Sequence, residues 1–213
     1  MKLYLSSYRI PDVNVLAGLV GKPANEIKVA LIPNAKDYYV PRALAFKARQ
    51  IQNVLEGFGF AVKIANLQKL HGAQLKAELE SVDLIWVMGG NVFCLREAMV
   101  ASGFDDIIRD VLAKGVVYGG ESAGTCVAGP DLHGVELADE AEFAEKLIWK
   151  GLGLTDRFIV PHADNEDFGG IMQEIIEQRK DDPNLVVLND NQVWVVNGND
   201  AWKITGRKYG EPE

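Results

Sequence analysis

Cysteine is almost absent from this chain of 213 residues, which has only Cys94 and Cys126. Two cysteines cannot make a disulfide framework, so the expectation is two reduced structural thiols in a cytoplasmic protein. Apolar runs are short, and none approaches the roughly 20 residues needed to span a bilayer. Positive charge is also scarce: 22 Lys and Arg stand against 30 Asp and Glu, for a net charge of -8. With no basic run to neutralise phosphates, nucleic acid is excluded as a partner, and nothing draws the chain to an anionic membrane. The start, Met1-Lys2-Leu3-Tyr4-Leu5, runs directly into a strand-like segment rather than a signal peptide. Repeats, linkers and low-complexity segments are lacking too, so residues 1–213 are expected to form one domain. Monomer and homodimer both stay open.

What is present is alternation. Lys28–Ile32, Val62–Ala65, Asp83–Met88 and Gly115–Tyr118 are short apolar runs of strand type. Between them lie segments of helical period: Pro41–Phe58, Leu67–Leu79, Leu95–Ala101 and Phe104–Ala113. In the first of these, Leu44, Ala48, Ile51 and Leu55 recur on one face behind an N-terminal proline. Strand and helix in strict turn imply an α/β fold with a mostly parallel sheet and helices on both faces. Further on, Phe158–Val160 and Leu185–Leu188 read as strands and Ile171–Arg179 as a helix. Val193–Asn197 and Ala201–Thr205 read as a terminal hairpin. In such a fold, functional residues gather at the carboxyl ends of the strands.

One of those ends carries Gly120-Glu121-Ser122-Ala123-Gly124, which fits G-x-S-x-G between a strand and a helix start. A serine on that tight turn has its hydroxyl pushed out of the sheet end, with the Ala123 amide beside it as an oxyanion donor. A second amide can come from Gly89-Gly90-Asn91, at the end of another strand. A phosphate-binding reading of this loop fails, because it lacks the lysine of a P-loop and the third glycine of a dinucleotide fingerprint.

A serine nucleophile needs a base, and the chain has three histidines. His71 lies in a polar helical segment. His133 lies in a turn-rich stretch. His162 follows Val160-Pro161 at a strand end, where the serine is also expected, and is the preferred base ahead of His133. Asp164, Glu166 and Asp167 follow it, but no second histidine or cysteine stands at ligand spacing, so neither a metal nor any other cofactor is expected. For the acid that orients the base, Asp190 at the far end of the chain competes with Glu136, Asp139 and Glu140. Asn91, Asp164 and Glu166 are the candidate substrate contacts.

The ordered set Met88-Gly89-Gly90-Asn91, Gly120–Gly124 and Val160-Pro161-His162 resembles the peptidase E (aspartyl dipeptidase) family of serine peptidases, whose wider relatives include cyanophycinases. The resemblance implies a fold like that of class I glutamine amidotransferases (flavodoxin-like), with serine in place of their cysteine. It implies hydrolysis of dipeptides and other short peptides in the cytoplasm, without metal or cofactor. It assigns Ser122 as nucleophile, His162 as base, and the Gly90 and Ala123 amides as oxyanion donors. For the acid it allows Asp190, near the C-terminal strands, or Asp139, between serine and histidine. An esterase or another amidohydrolase would use the same serine. A silent binding protein on this scaffold would be marked by loss of Ser122 or His162, and both are present.

The chain departs from that family in one respect. The resemblance leads one to expect an arginine after the proline-histidine pair to hold an acidic substrate side chain. Here the stretch 163–170 is acidic, and Arg179 is the first arginine downstream. The expectation is therefore a pocket for a neutral or basic N-terminal residue, with one of the nearby acids on its α-amino group.

Overall fold

The structure is a computed structural model that describes residues 1–206; the last seven residues of the expected domain lie outside that range. Its centre is a seven-stranded sheet in the order β3-β2-β4-β5-β1-β8-β9. β1 (Lys2–Ser6), β2 (Lys28–Ile32), β3 (Ala61–Ile64), β4 (Leu84–Val87) and β5 (Val117–Glu121) run parallel, and β8 (Gln192–Asn197) and β9 (Asp200–Thr205) close one edge as an antiparallel hairpin. β4 and β5 are buried throughout, as expected of central strands covered on both faces.

The helices divide between the two faces. Leu16 and Leu19 of α1 (Val13–Val20) and Ala48 and Leu55 of α2 (Pro41–Gly57) pack with Tyr4, Trp86 and Val117. On the other face α3 (Gly72–Glu80), α4 (Val92–Ser102), α5 (Phe104–Ala113), the four-residue α6 (Ala123–Cys126) and α7 (Gly169–Gln178) bury Leu75, Phe93, Ile108 and Ile175 with Leu5, Ile85 and Tyr118. Arg96, 1% exposed, ties this layer together: it makes a bidentate pair with Asp105 at 2.9 and 2.7 Å and donates to the Lys150 carbonyl.

The elements depart from the sequence expectation in four places. α1 has no counterpart there, although its start is written in Asp12, whose carboxylate accepts from the Asn14 and Val15 amides. α3 begins at Gly72 rather than Leu67. Asn66 turns the chain back on itself by accepting from the Gln68 amide, and Asn34 takes the Leu67 amide. α4 begins at Val92 rather than Leu95, since Asn91 caps it through the Phe93 and Cys94 amides. Finally, β6 (Phe158–Val160) and β7 (Leu185–Val187) form a separate two-stranded parallel sheet instead of joining the main one. Among the described residues no helix is long and apolar enough to cross a membrane.

The carboxyl end of β5 is held by close backbone packing. A Cβ on Gly120 would lie 2.4 Å from the Gly124 carbonyl oxygen, and one on Gly124 would lie 2.3 Å from the Val87 oxygen. Both are far inside contact distance with rigid backbone. Gly120→Ala or Gly124→Ala should therefore cost about 3 kcal/mol or more, read as a lowered urea midpoint or loss of folded protein. Gly18, exposed within α1 with no atom within 4 Å of its would-be Cβ, supplies the contrast. Gly18→Ala should raise stability by up to about 1 kcal/mol.

Candidate active site

The ends of β1, β2, β4 and β5 and the β6–β7 pair converge on one cavity of about 730 Å³. Ser122 stands at the turn between β5 and α6 with φ 51° and ψ -114°, a conformation that costs a non-glycine residue on the order of 1–3 kcal/mol. The turn is held in place from three sides. The Ser122 amide donates to the Ser7 and Ser6 carbonyls at 3.1 and 3.3 Å, and its own carbonyl accepts from Thr125 and Cys126 at 2.8 and 3.0 Å. Thr125 Oγ1 lies 2.7 Å from the Ser6 oxygen and 2.9 Å from the Gly120 oxygen.

The loop after β4 passes against this turn. A Cβ on Gly89 would come within 2.9 Å of Ser122 Cβ, and one on Gly90, at φ 151°, within 2.3 Å of the Ala35 oxygen. Only bare backbone fits there. The Gly90 and Ala123 amides donate to no other group among the described residues, and Gly90 lines the cavity with Ser122.

His162 lines the same cavity, 8% exposed, with φ 60°. Its Nδ1 lies 2.5 Å from Asp190 Oδ1. The contact follows from register. Val160 pairs with Val187, so the residues just past the two strand ends leave side by side, and the Ala163 amide donates to the Leu188 carbonyl. Asp190 is itself fixed: Asn165 Nδ2 donates to its Oδ2 at 2.7 Å, and its amide donates to Asp164 Oδ1 at 2.7 Å. Tyr8 and Phe168 flank the imidazole at 6.3 and 5.8 Å between ring centroids.

Ser7 escaped the sequence reading, although it touches all three parts. Its carbonyl accepts from Ser122, its Oγ accepts from the His162 amide at 2.8 Å, and the same Oγ lies 3.4 Å from Asp190. The one sequence signal for it is a serine pair ending a strand. Asn165 was equally hidden.

Other candidates land elsewhere. Asp139 is not the partner of the imidazole. Its Oδ2 accepts from the Val92 amide at 2.7 Å, at the start of α4, and its carboxyl lines the cavity. Asn91 lines the cavity too, but its side chain is engaged: Oδ1 caps α4 and Nδ2 donates to the Glu140 carbonyl. Asp164 holds the Asp190 amide, and neither it nor Glu166 lines the cavity. His133 stacks on Trp149 and pairs with Asp131 at 2.6 Å, away from the cavity. Arg179 binds the same Asp131 and lies 3.7 Å over the Phe158 ring. The positive charges at the cavity are instead Arg9, Lys36 and Lys47.

Glu121, the neighbour of Ser122, is 7% exposed and lines the cavity, and the Gly89 amide donates to its Oε1 at 3.4 Å. Burial pushes its carboxyl up, against the pull of Arg9 and Lys36. Burial lowers the Lys36 ammonium, with Glu121 opposing. Asp139 is pushed up to about 6 by burial, with Glu140 adding and the Val92 amide and Lys36 opposing. Among the described residues no three His, Cys, Asp or Glu side chains converge as a metal site.

The sequence profile of peptidase family S51 matches residues 13–204. An uncharacterized peptidase of Listeria innocua is 30% identical over 149 residues, 70% of each chain. One from Pasteurella multocida is 27% identical over 177 residues, 83% of this chain and 84% of that one. Peptidase E of Haemophilus influenzae is 33% identical over 120 residues, 56% of this chain and 49% of its own length. Among solved structures, a candidate peptidase E protein from Listeria monocytogenes superposes with a TM-score of 0.83 at 24% identity, covering 96% of this chain and 98% of that one. A peptidase from an acI-B1 Actinobacterium gives 0.72 at 16% identity, covering 96% and 87%.

Asp139 yields a stability prediction. Its folded-state pKa, about 6, lies above the ordinary 3.8, so the folded protein holds this proton more tightly than the unfolded chain. Stability from this group is lost as pH rises from about 4 to about 6, and above that ionisation costs on the order of 3 kcal/mol. Asp139→Asn, which can still accept from Val92, should melt several degrees above wild type at pH 8. The difference should vanish towards pH 4 in thermal denaturation.

Proposed function

The chain belongs to peptidase family S51, and on that premise we propose that it hydrolyses dipeptides and other short peptides after the N-terminal residue. Ser122 is the nucleophile, His162 the general base and Asp190 the acid that orients it. The observation that carries this reading is the 2.5 Å contact of His162 Nδ1 with Asp190, on an imidazole that shares its cavity with Ser122. With Nδ1 committed to a carboxylate, Nε2 is the ring nitrogen left to accept a proton from the serine.

In the reaction, Ser122 Oγ attacks the carbonyl carbon of the scissile peptide while His162 takes the hydroxyl proton. The carbonyl oxygen becomes an oxyanion between the Gly90 and Ala123 amides, which donate to no other group among the described residues. His162 then gives the proton to the leaving amine as the C–N bond breaks. Water, deprotonated by the same imidazole, attacks the acyl-serine and frees the acid. Asp190 stabilises the imidazolium in both halves. Asn165 and Ser7 hold Asp190 where it must be.

Ser122→Ala should lower kcat on a cleaved dipeptide by at least about a thousandfold, and Asp190→Asn by about a hundredfold or more, each with a smaller change in KM. Asn165→Ala, which leaves Asp190 Oδ2 without its donor, should cost about tenfold in kcat. Equal peptide turnover by wild type and Ser122→Ala would overturn the assignment.

A further inference from the structure

A second, smaller chamber opens off the main cavity beside Ser122, with a volume of about 40 Å³. Its wall is apolar: Val135, Ala138, Phe158, Ile159, Met172 and Ile175 supply most of it, with Ser122, Ala123 and His162 at the mouth. Asp139 lines both this chamber and the main cavity, so the residue stands where the two meet. No cation lines the chamber among the described residues. Arg9, Lys36 and Lys47 all line the main cavity instead.

Resting on the peptidase reading, we propose that this chamber takes the side chain of the substrate's N-terminal residue, that the side chain is small and apolar, and that Asp139 holds its α-ammonium group. The α-nitrogen and the side chain leave the same Cα, within about 2.5 Å of each other. A substrate whose carbonyl carbon lies at Ser122 must therefore place both in one small neighbourhood. The mouth of the chamber, with an acid at its lip, is such a place. One Asp139 oxygen accepts from the Val92 amide, which fixes the carboxyl's orientation. Burial strips solvent from its ionised form, with the Val92 amide and Lys36 only partly offsetting this, and an ammonium beside it would offset it further.

The size of the chamber sets the side chain. At about 40 Å³ against about 730 Å³ for the main cavity, it suits a small side chain such as the methyl of alanine. Leucine or phenylalanine would press on Met172, the most flexible residue of the wall. An aspartate side chain would be stripped of water against apolar groups, next to Asp139 and with no cation to meet it, the least favourable of the small choices. The acids after His162, read from the sequence as the α-amino contacts, give way to Asp139.

The test is a panel of dipeptides X-Leu with X as Gly, Ala, Leu, Asp and Lys. Alongside it run alanine p-nitroanilide and its N-acetyl form, with labelling of Ser122 by a fluorophosphonate as an independent check on the nucleophile. Ala-Leu should lead the panel by about tenfold or more in kcat/KM. Met172→Ala should move the optimum to Leu-Leu. Asp139→Asn should raise KM for the free-amine anilide by about tenfold with little change in kcat, and should erase its advantage over the acetylated one. Cleavage that depends on Ser122 but prefers Asp or Lys would overturn the inference and leave the peptidase reading standing. So would a ranking that Met172→Ala does not alter, or an Asp139→Asn enzyme that still favours the free amine. Labelled Ser122 with no peptide cleaved would overturn both.

Discussion

The peptide groups of Val87, Gly120 and Gly124 stack closer than any side chain would permit, and the reactive end of the sheet depends on that contact. It brings β4, β5 and α6 into close backbone contact where the chain leaves β5 by the strained turn at Ser122. Sheet hydrogen bonds lock the turn: the carbonyls of Ser6 and Ser7, at the end of β1, take the Ser122 amide. The backbone strain at Ser122 is thus held by a central part of a buried parallel sheet rather than by a loop. The same closeness draws the Gly89-Gly90 loop against the serine, and the Gly90 and Ala123 amides donate to no other group among the described residues.

The imidazole arrives by a separate route. β6 and β7 form their own small sheet, and their register delivers His162 and Asp190 side by side. Ser7 joins this unit to the main sheet, since its carbonyl serves the serine turn and its hydroxyl serves the His162 amide. The two halves of the site therefore share one residue at the end of β1. Charge is placed with similar economy. Glu121, Asp139 and Lys36 are carried into the cavity wall with few partners, and burial moves the pKa of each towards its neutral form. By contrast, Arg179 and His133 are fully engaged with Asp131 and an aromatic face elsewhere. Among the described residues, the charged side chains that line the cavity thus lie outside the acidic stretch after His162.

Much of this was legible in the sequence. Strand and helix segments followed from apolar runs and period, because a parallel sheet buried on both faces needs continuous apolar strands. The G-x-S-x-G turn was legible because its glycines answer to local backbone geometry, and Gly89-Gly90 for the same reason. The start of α3 was misplaced because a single side chain, Asn66, decided the local turn.

What the sequence by itself determined was the alternating α/β order, the tight turn at Ser122, and a shortlist of two histidines and several acids. Those features depend on neighbours along the chain. Tertiary structure alone decided which acid meets the imidazole, because Asp190 and Asp139 differ only in where distant strands and helices carry them. It also decided that Ser7 links the parts, that Arg9, Lys36 and Lys47 rather than Arg179 line the cavity, and that Asp139 borders an apolar chamber. Each is a contact across the sheet or between layers, set by register and packing, and no local pattern encodes it.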